Sequence, residues 1–442
     1  MLRRVIALPL HWQIVIALIL AAIAGSLAGT DTMVLGVALH DAFAFIGRLF
    51  LNALRMLIVP LIASSIIVGA AGIGGSDRLG SLGGRTLLFY GVTTTLAILL
   101  GLSLVNLVQP GLVDGQPAGT ILGLDAGAPE VAARMEGRGA GDVVEIFLRM
   151  IPPNVVQAAA NTELLGLIFF CLLFGVFMAR TGHESADTLY RFWDGVFKVM
   201  MGITELVMRF APIGVFGLVA AVVAETGFSA AGPLIVFSAV VFVALLIHTV
   251  VTLPLLLRFA GGVKHPYRIF PAMAPAMLTA FSTASSSATL PVTMECVEQN
   301  TGVSNKISSF VLPLGATVNM NGTALYECAA ALFIAQAYGF ELSLMTQFVV
   351  VLTALVTSVG VAGVPSASLV AIGIILTTVG LPIEALGVLF VFDRILDMCR
   401  TSVNILGDAC CAVIVARQTG ETDVLEPSPD AKHDPDLGHR AD

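Results

Sequence analysis

The stretch 393–408 reads DRILDMCRTSVNILGD. Asp393, Asp397, Arg400, Asn404 and Asp408 follow one another at intervals of 4, 3, 4 and 4 residues. On a helix they form one stripe, with Thr401 beside it. The rest of the run is as apolar as a membrane span, where each buried charge costs roughly 2.5–3.5 kcal/mol on insertion scales. The run also holds Arg394, but the stripe itself counts three carboxylates and one guanidinium, two charges short of neutral. A purely structural network should balance itself, so this one suits cations and a ligand. The planar fork of Arg400 matches a carboxylate. Asp397, one turn away, can accept hydrogen bonds from an ammonium group. A ligand with both groups at short separation is an amino acid. A second carboxylate, held on backbone N–H groups at helix N-termini, would make it glutamate or aspartate. The plain alternative is an internal Asp397–Arg400 ion pair with no ligand. Asp408, Asn404 and Asn319 offer hard oxygen donors, which suit an alkali cation and not zinc.

The elements that would hold these residues follow from composition. The 442-residue chain is 57% hydrophobic and only 12% charged, with a mean hydropathy of +0.94. So little charge cannot cover a soluble protein of this size. Apolar runs recur at 11–29, 91–108, 164–179, 232–258 and 346–359. They indicate a polytopic α-helical membrane protein. The net charge of −8 lies largely in one loop and the tail, which speaks against a nucleic-acid partner. The six Cys show no metal-ligand spacing and read as small buried residues. Arg3, Arg4 and the following apolar residues could form a signal peptide. His11, Trp12 and Gln13 interrupt that run, which favours a retained first helix.

Spans are expected near 11–29, 43–72, 86–109, 145–179, 192–224, 232–258, 305–337 and 382–416. Loop cations at Arg3/Arg4, Arg78/Arg85, Arg180/Arg191 and in the Arg258–Arg268 cluster would share one side, which places both termini in the cytoplasm. The segments 266–300 and 342–378 are apolar at both ends with small-residue centres, STASSSATLP and SVGVAGVPSAS. Each arm is too short to span, so each segment is expected to be a re-entrant hairpin. A span broken by NMNGTALYE follows the first and the striped helix follows the second. Hairpin plus span twice over, entering from opposite sides, makes inverted repeats that meet at a binding site. The tail 418–442 reads as disordered.

Two other classes fit these residues less well. An intramembrane serine hydrolase would use Ser285–Ser287, but among the His only His248 lies well inside a span and G-x-S-x-G is absent. An ion channel fits an ion-pair stripe closed by hairpin tips less well than a gated site does.

TASSSATLP, NMNGTALYE, GVAGVP and DRILDMCRTSVNILGD occur in that order over the last 180 or so residues. With them the chain resembles the dicarboxylate/amino acid:cation symporters, the glutamate transporter family, over nearly its whole length. The run 283–336 is especially similar to the animal members. The resemblance implies eight transmembrane helices plus two re-entrant hairpins and an elevator mechanism. Residues 1–85 and 143–226 would form the scaffold, 86–110 and 227–417 the transport domain, and 111–142 an extracellular loop. It implies a homotrimer in the plasma (inner) membrane, in contact with lipid. The activity would be symport of L-glutamate or L-aspartate with sodium, with proton and potassium as further coupling ions. C4-dicarboxylates or neutral amino acids are the alternative substrates.

By the same resemblance, Ser285, Ser286 and Ser287 at one tip, and Gly363, Val364 and Pro365 at the other, contact substrate. Met320, Thr323, Asp397, Arg400, Thr401 and Asn404 complete that site, with Arg400 on the side-chain carboxylate and Asp397 on the amino group. Gly315, Asn319, Asn404 and Asp408 match one sodium site. Thr317, Ser358, Val359 and Val361 match a second. Tyr90, Thr93, Thr94, Asn319 and Asn321 match a third. Glu327 matches the residue linked to proton and potassium coupling in the animal members. The usual NMDGT is NMNGT here, which puts the third site in doubt at Asn321, and Ser368 replaces a Gly common at the second tip.

Overall fold

The computed structural model describes residues 10–29, 32–34, 36–74, 82–124, 148, 151–160, 164–227, 231–358 and 367–425. Val359, Val361, Gly363, Val364 and Pro365, most of the loop 111–142 and residues 426–442 of the tail lie outside them.

The described residues are mostly helical, with two antiparallel two-residue pairings, Met33–Val34 with Val37–Ala38 and Leu112–Val113 with Gln116–Pro117. Helices α1 (Leu10–Ala28), α2 (Leu39–Gly74) and α3 (Leu82–Val108) open the chain. α4 (Val155–Ala160), α5 (Leu164–Met178), α6 (His183–Arg209) and α7 (Ala211–Thr226) follow, and α7 packs on α1 and α2. Next come α8 (Ala231–Ile247), α9 (Leu253–Phe259), α10 (Ile269–Thr283) and α11 (Ser286–Glu295). The last are α12 (Asn305–Val318), α13 (Asn321–Ala337), α14 (Leu344–Ser358), α15 (Ala367–Val379) and α16 (Leu386–Gln418). Among the described residues, three stretches are long and apolar enough to cross a membrane: Leu82–Val108, Ala231–Phe259 and Ile383–Gln418.

Two expected single spans are broken. The expected helix 192–224 is α6 and α7, bent by 54° at Phe210. Pro212 lacks an N–H and suits the first turn of a new helix, not the middle of an old one. The expected span 145–179 is interrupted at 151–154, before α4. Pro152 and Pro153 precede α4, and the Asn154 side chain caps it, accepting from the N–H groups of Val156 (3.0 Å) and Gln157 (3.1 Å).

Other breaks position the candidate site. α8 joins α9 through a wide π turn at His248–Thr252, just before Pro254, whose ring would clash with the carbonyl four residues earlier. α10 turns back into α11 at Ala284, which is left-handed (φ 50°, ψ 38°). Ser285 caps α11 by accepting from Ala288 N–H at 3.2 Å. Helical geometry also lapses at Asn319 (ψ 85°) and Met320 (ψ 57°), between α12 and α13. α13 is buried almost throughout, and α16 from Leu396 to Ala416 nearly so. These two are the centre around which α3, α8, α10–α12, α14 and α15 pack.

Candidate functional site

α16 carries two polar clusters about two turns apart. The first surrounds Arg400, whose side chain is fully buried. Its Nη2 donates to Asp397 Oδ1 (2.9 Å), Asp393 Oδ1 (3.0 Å) and Ser368 Oγ on α15 (3.0 Å). The guanidinium carbon lies 3.8 Å from the centroid of the Tyr326 ring on α13, a cation–π contact. Nε and Nη1 of Arg400 hold no hydrogen bond among the described residues. A buried donor without an acceptor costs about 1–3 kcal/mol.

The sequence count of charges needs correction here. Arg394 is buried too, and its Nη1 lies 3.8 Å from Asp397 Oδ2. This end of the stripe therefore holds two carboxylates and two guanidiniums and is balanced. Arg394 sits one residue round from Asp393, off the stripe, but its i,i+3 spacing to Asp397 was a usable signal. Its Nε and Nη1 also lack hydrogen-bond acceptors among the described residues. Tyr326 and Ser368 were not assigned to this cluster either. No spacing rule reveals contacts made between helices.

The second cluster forms where α12 and α13 meet α16 and α3. Asn404 caps α13 from a different helix. Its Oδ1 accepts from Gly322 N–H (2.9 Å) and Thr323 N–H (3.4 Å), and its Nδ2 donates to Thr323 Oγ1 (3.0 Å). These N–H groups are among those a helix start leaves unpaired. Gly322 permits the approach, since a Cβ there would lie 3.0 Å from the carbonyl oxygen of Arg400. Asn319 Nδ2 donates to Asp408 Oδ1 (2.8 Å), while its Oδ1 accepts from Thr94 Oγ1 (3.5 Å). Asn321 Nδ2 faces Thr93 Oγ1 at 3.5 Å, and its Oδ1 accepts from Gly322 N–H at 2.8 Å. Both amides press on Gly407, where a Cβ would collide with Asn321 Nδ2. The Asp408 carboxyl and the Tyr90 hydroxyl flank Gly315, and that hydroxyl donates to Val311 O at 2.9 Å. Asp408 pairs with no cation among the described residues. With Arg394 counted, one negative charge remains of the two read from the sequence, and it resides here.

Other expected residues stand as follows. Ser285 and Ser286 are buried at the α10–α11 turn and Ser287 is exposed. Thr283 and Thr289 join hydroxyls across that turn at 3.2 Å. Met320 is buried against Ala371. Thr401 returns its hydroxyl to Asp397 O (2.8 Å), Thr317 to Leu314 O (3.0 Å) and Ser358 to Leu355 O (2.9 Å). Thr317 and Ser358 are not joined to each other by any hydrogen bond. Glu327 is fully buried. One carboxyl oxygen accepts from Thr357 Oγ1 at 3.0 Å, and the other has no partner among the described residues.

In composition the first cluster is a guanidinium pocket with spare donors. The second is an oxygen-rich pocket with spare negative charge. Comparison with known proteins bears on the pair. The sodium:dicarboxylate symporter family matches residues 10–418. The proton/glutamate-aspartate symporter of Escherichia coli (strain K12) is 34% identical over 413 residues, 93% of each chain. The proton/sodium-glutamate symport protein of Geobacillus stearothermophilus is 34% identical over 413 residues, 93% of this chain and 95% of its own. Excitatory amino acid transporter 3 of Homo sapiens is 34% identical over 425 residues, 85% of this chain and 79% of its own. This chain belongs to the sodium:dicarboxylate symporter family, whose members are membrane transporters and not enzymes.

Proposed function

We propose that the protein is a secondary active transporter that moves L-glutamate or L-aspartate with sodium, and with a proton, across the plasma membrane. The observation that carries this reading is the buried Arg400 guanidinium with Nε and Nη1 unpartnered beside Asp397. Two N–H groups of one fork match the two oxygens of a side-chain carboxylate. Asp397 would receive the amino group, exchanging part of its bond to Arg400 for one to the ligand. The α-carboxylate would lie on Ser285–Ser287 at the α11 N-terminus and on the 363–365 tip. Met320, Thr323, Thr401 and Asn404 would complete the enclosure.

Sodium is cargo in this scheme. Asp408, Asn319, Asn404 and the Gly315 carbonyl form the first proposed site. The second is Thr317 and Ser358 with the carbonyls of Val359 and Val361. Tyr90, Thr93, Thr94, Asn319 and Asn321 form the third, weakened because Asn321 is neutral where the family pattern carries Asp. Glu327, which forms no ion pair among the described residues, is the proposed carrier of the proton, and potassium would replace it on the return leg. The helix–turn–helix α10–α11 and the pair α14–α15 serve as the two re-entrant hairpins. With eight spans, a trimeric scaffold and cytoplasmic termini, they support an elevator mechanism.

A C4-dicarboxylate substrate is the second reading, favoured by Arg394. Two guanidiniums beside Asp397 can serve two carboxylates without an amino group. Uptake into proteoliposomes under imposed sodium and proton gradients tests both. Labelled aspartate should accumulate under a sodium gradient, and more strongly when a proton gradient is added. Asp397→Asn should weaken aspartate by about 10- to 100-fold, the worth of a hydrogen bond to a charged group, and spare succinate. Equal losses for the two substrates would favour the dicarboxylate reading, and then Arg394→Leu should abolish succinate uptake.

A further inference from the structure

A third feature belongs to neither polar cluster. A groove of about 690 Å³ lies between α9, the loop 260–265 and the start of α10. Arg258, Lys264, His265 and Arg268 line it, together with Leu255 and Tyr267, and no acidic residue does. All four basic side chains are exposed. Arg258 donates one hydrogen bond, to Val263 O at 3.4 Å, and none of the four forms an ion pair with a described carboxylate. The three cations Arg258, Lys264 and Arg268 share one concave surface and repel one another unless an anion joins them.

The approach to the groove is apolar. Phe242, Leu246, Val250, Leu255 and Phe259 are all exposed, Phe259 at 81%. Their spacing is 4, 4, 5 and 4. The five-residue step falls in the π turn His248–Thr252, whose extra residue keeps the column on one face of the α8–α9 rod. An uninterrupted apolar column therefore runs along a 29-residue membrane-length helix and ends at a basic groove with an exposed Tyr at its mouth. Topology signalling alone needs only a count of loop cations. It needs neither a concavity nor a column.

We propose that this groove binds the headgroup of an anionic phospholipid. Arg258, Lys264 and Arg268 would hold the phosphate, and an acyl chain would lie along the Phe242–Phe259 column. Basic pockets at span ends collect such headgroups, and a Tyr at headgroup level is the usual interfacial anchor. A free phosphate ion would satisfy the cations and leave the column without a role. The proposal does not depend on which substrate is carried.

Native mass spectrometry of the full chain in detergent, titrated with dioleoyl-phosphatidylglycerol or dioleoyl-phosphatidylcholine, tests it. Phosphatidylglycerol should bind at least about tenfold more tightly, and Arg258→Gln/Lys264→Gln/Arg268→Gln should erase that preference, because each surface cation contributes about 1 kcal/mol toward an anionic lipid. Lys264→Gln alone, at an exposed loop position, should lower the preference about fivefold by the same reckoning and covers the case in which the triple variant does not fold. Leu255→Ser should weaken both lipids. Equal binding of the two lipids, retention of the preference in Lys264→Gln, or displacement of the lipid by millimolar inorganic phosphate would overturn the proposal.

Discussion

The two polar clusters on α16 solve opposite problems with neighbouring turns of one helix. Around Arg400 the charges balance, two carboxylates against two guanidiniums, yet N–H donors are left over. Around Asp408 the amide N–H groups have acceptors or face hydroxyls, yet a negative charge is left over. Spare donors without spare charge suit a polyatomic ligand whose own groups carry both signs. Spare charge among oxygens suits a small cation. Net charge separates the clusters, and the balance of donors against acceptors says what kind of ligand each suits.

The largest effect should come from removing the centre of the first cluster. Arg400→Cys leaves Asp393 and Asp397 buried without their main partner. Breaking such a pair costs roughly 3–5 kcal/mol, so aspartate binding by calorimetry should fall by about 100- to 1000-fold or more. The variant should admit neutral amino acids such as serine. Aspartate binding at the original affinity would erase the distinction between the clusters.

Asp408→Asn attacks the second cluster at its charge. At an effective dielectric of about 20 a carboxylate near a cation is worth a few kcal/mol. The sodium concentration for half-maximal uptake should rise by roughly 100-fold, with little change in selectivity between aspartate and serine. A change in selectivity instead would mean that Asp408 belongs with the substrate.

Glu327→Gln should divide exchange from net transport. Homoexchange of labelled aspartate should persist, while net uptake falls about tenfold and loses its response to a proton gradient, as removal of an uncompensated buried carboxyl predicts. Retained proton-driven uptake would reduce Glu327 to a structural partner of Thr357.

The smallest effect is expected at Asn321. Asn321→Asp restores a charge beside Thr93, and sodium dependence should steepen by a few-fold. In the unmodified protein, reversal potentials should give fewer than three sodium ions per substrate. Two with one monoanionic amino acid still move one positive charge, which gains about 2.3 kcal/mol per 100 mV.

Much of this architecture was legible in the order of residues because helical spacing is local. The stripe on α16 and the break at NMNG follow from intervals and from weak helix formers. Arg394 was missed because its Cα lies off the stripe, although a long flexible side chain can reach a neighbouring face. Tyr326 and Ser368 reach Arg400 from other helices, so no local interval encodes them. The bend at Phe210 was signalled by Pro212, but the apolar run hid it. The signal at His248–Thr252 was Pro254, whose effect could equally have been a kink.

Asn404 has a mechanical consequence. It sits one turn from Arg400 on one side and one turn from Asp408 on the other, and its amide holds the first turn of α13. Gly322 and Gly407 let α13 press directly on the α16 backbone and the Asn amides against α16. Little compliance is left between the two rods. A displacement of α13 at the Asp408 end would be transmitted to the turn that carries Arg400 with almost no slack. If the two clusters hold cation and substrate as proposed, the joint would behave as a keyed shaft, and widening it by one methyl group, as in Gly407→Ala, would introduce backlash between ion occupancy and substrate grip.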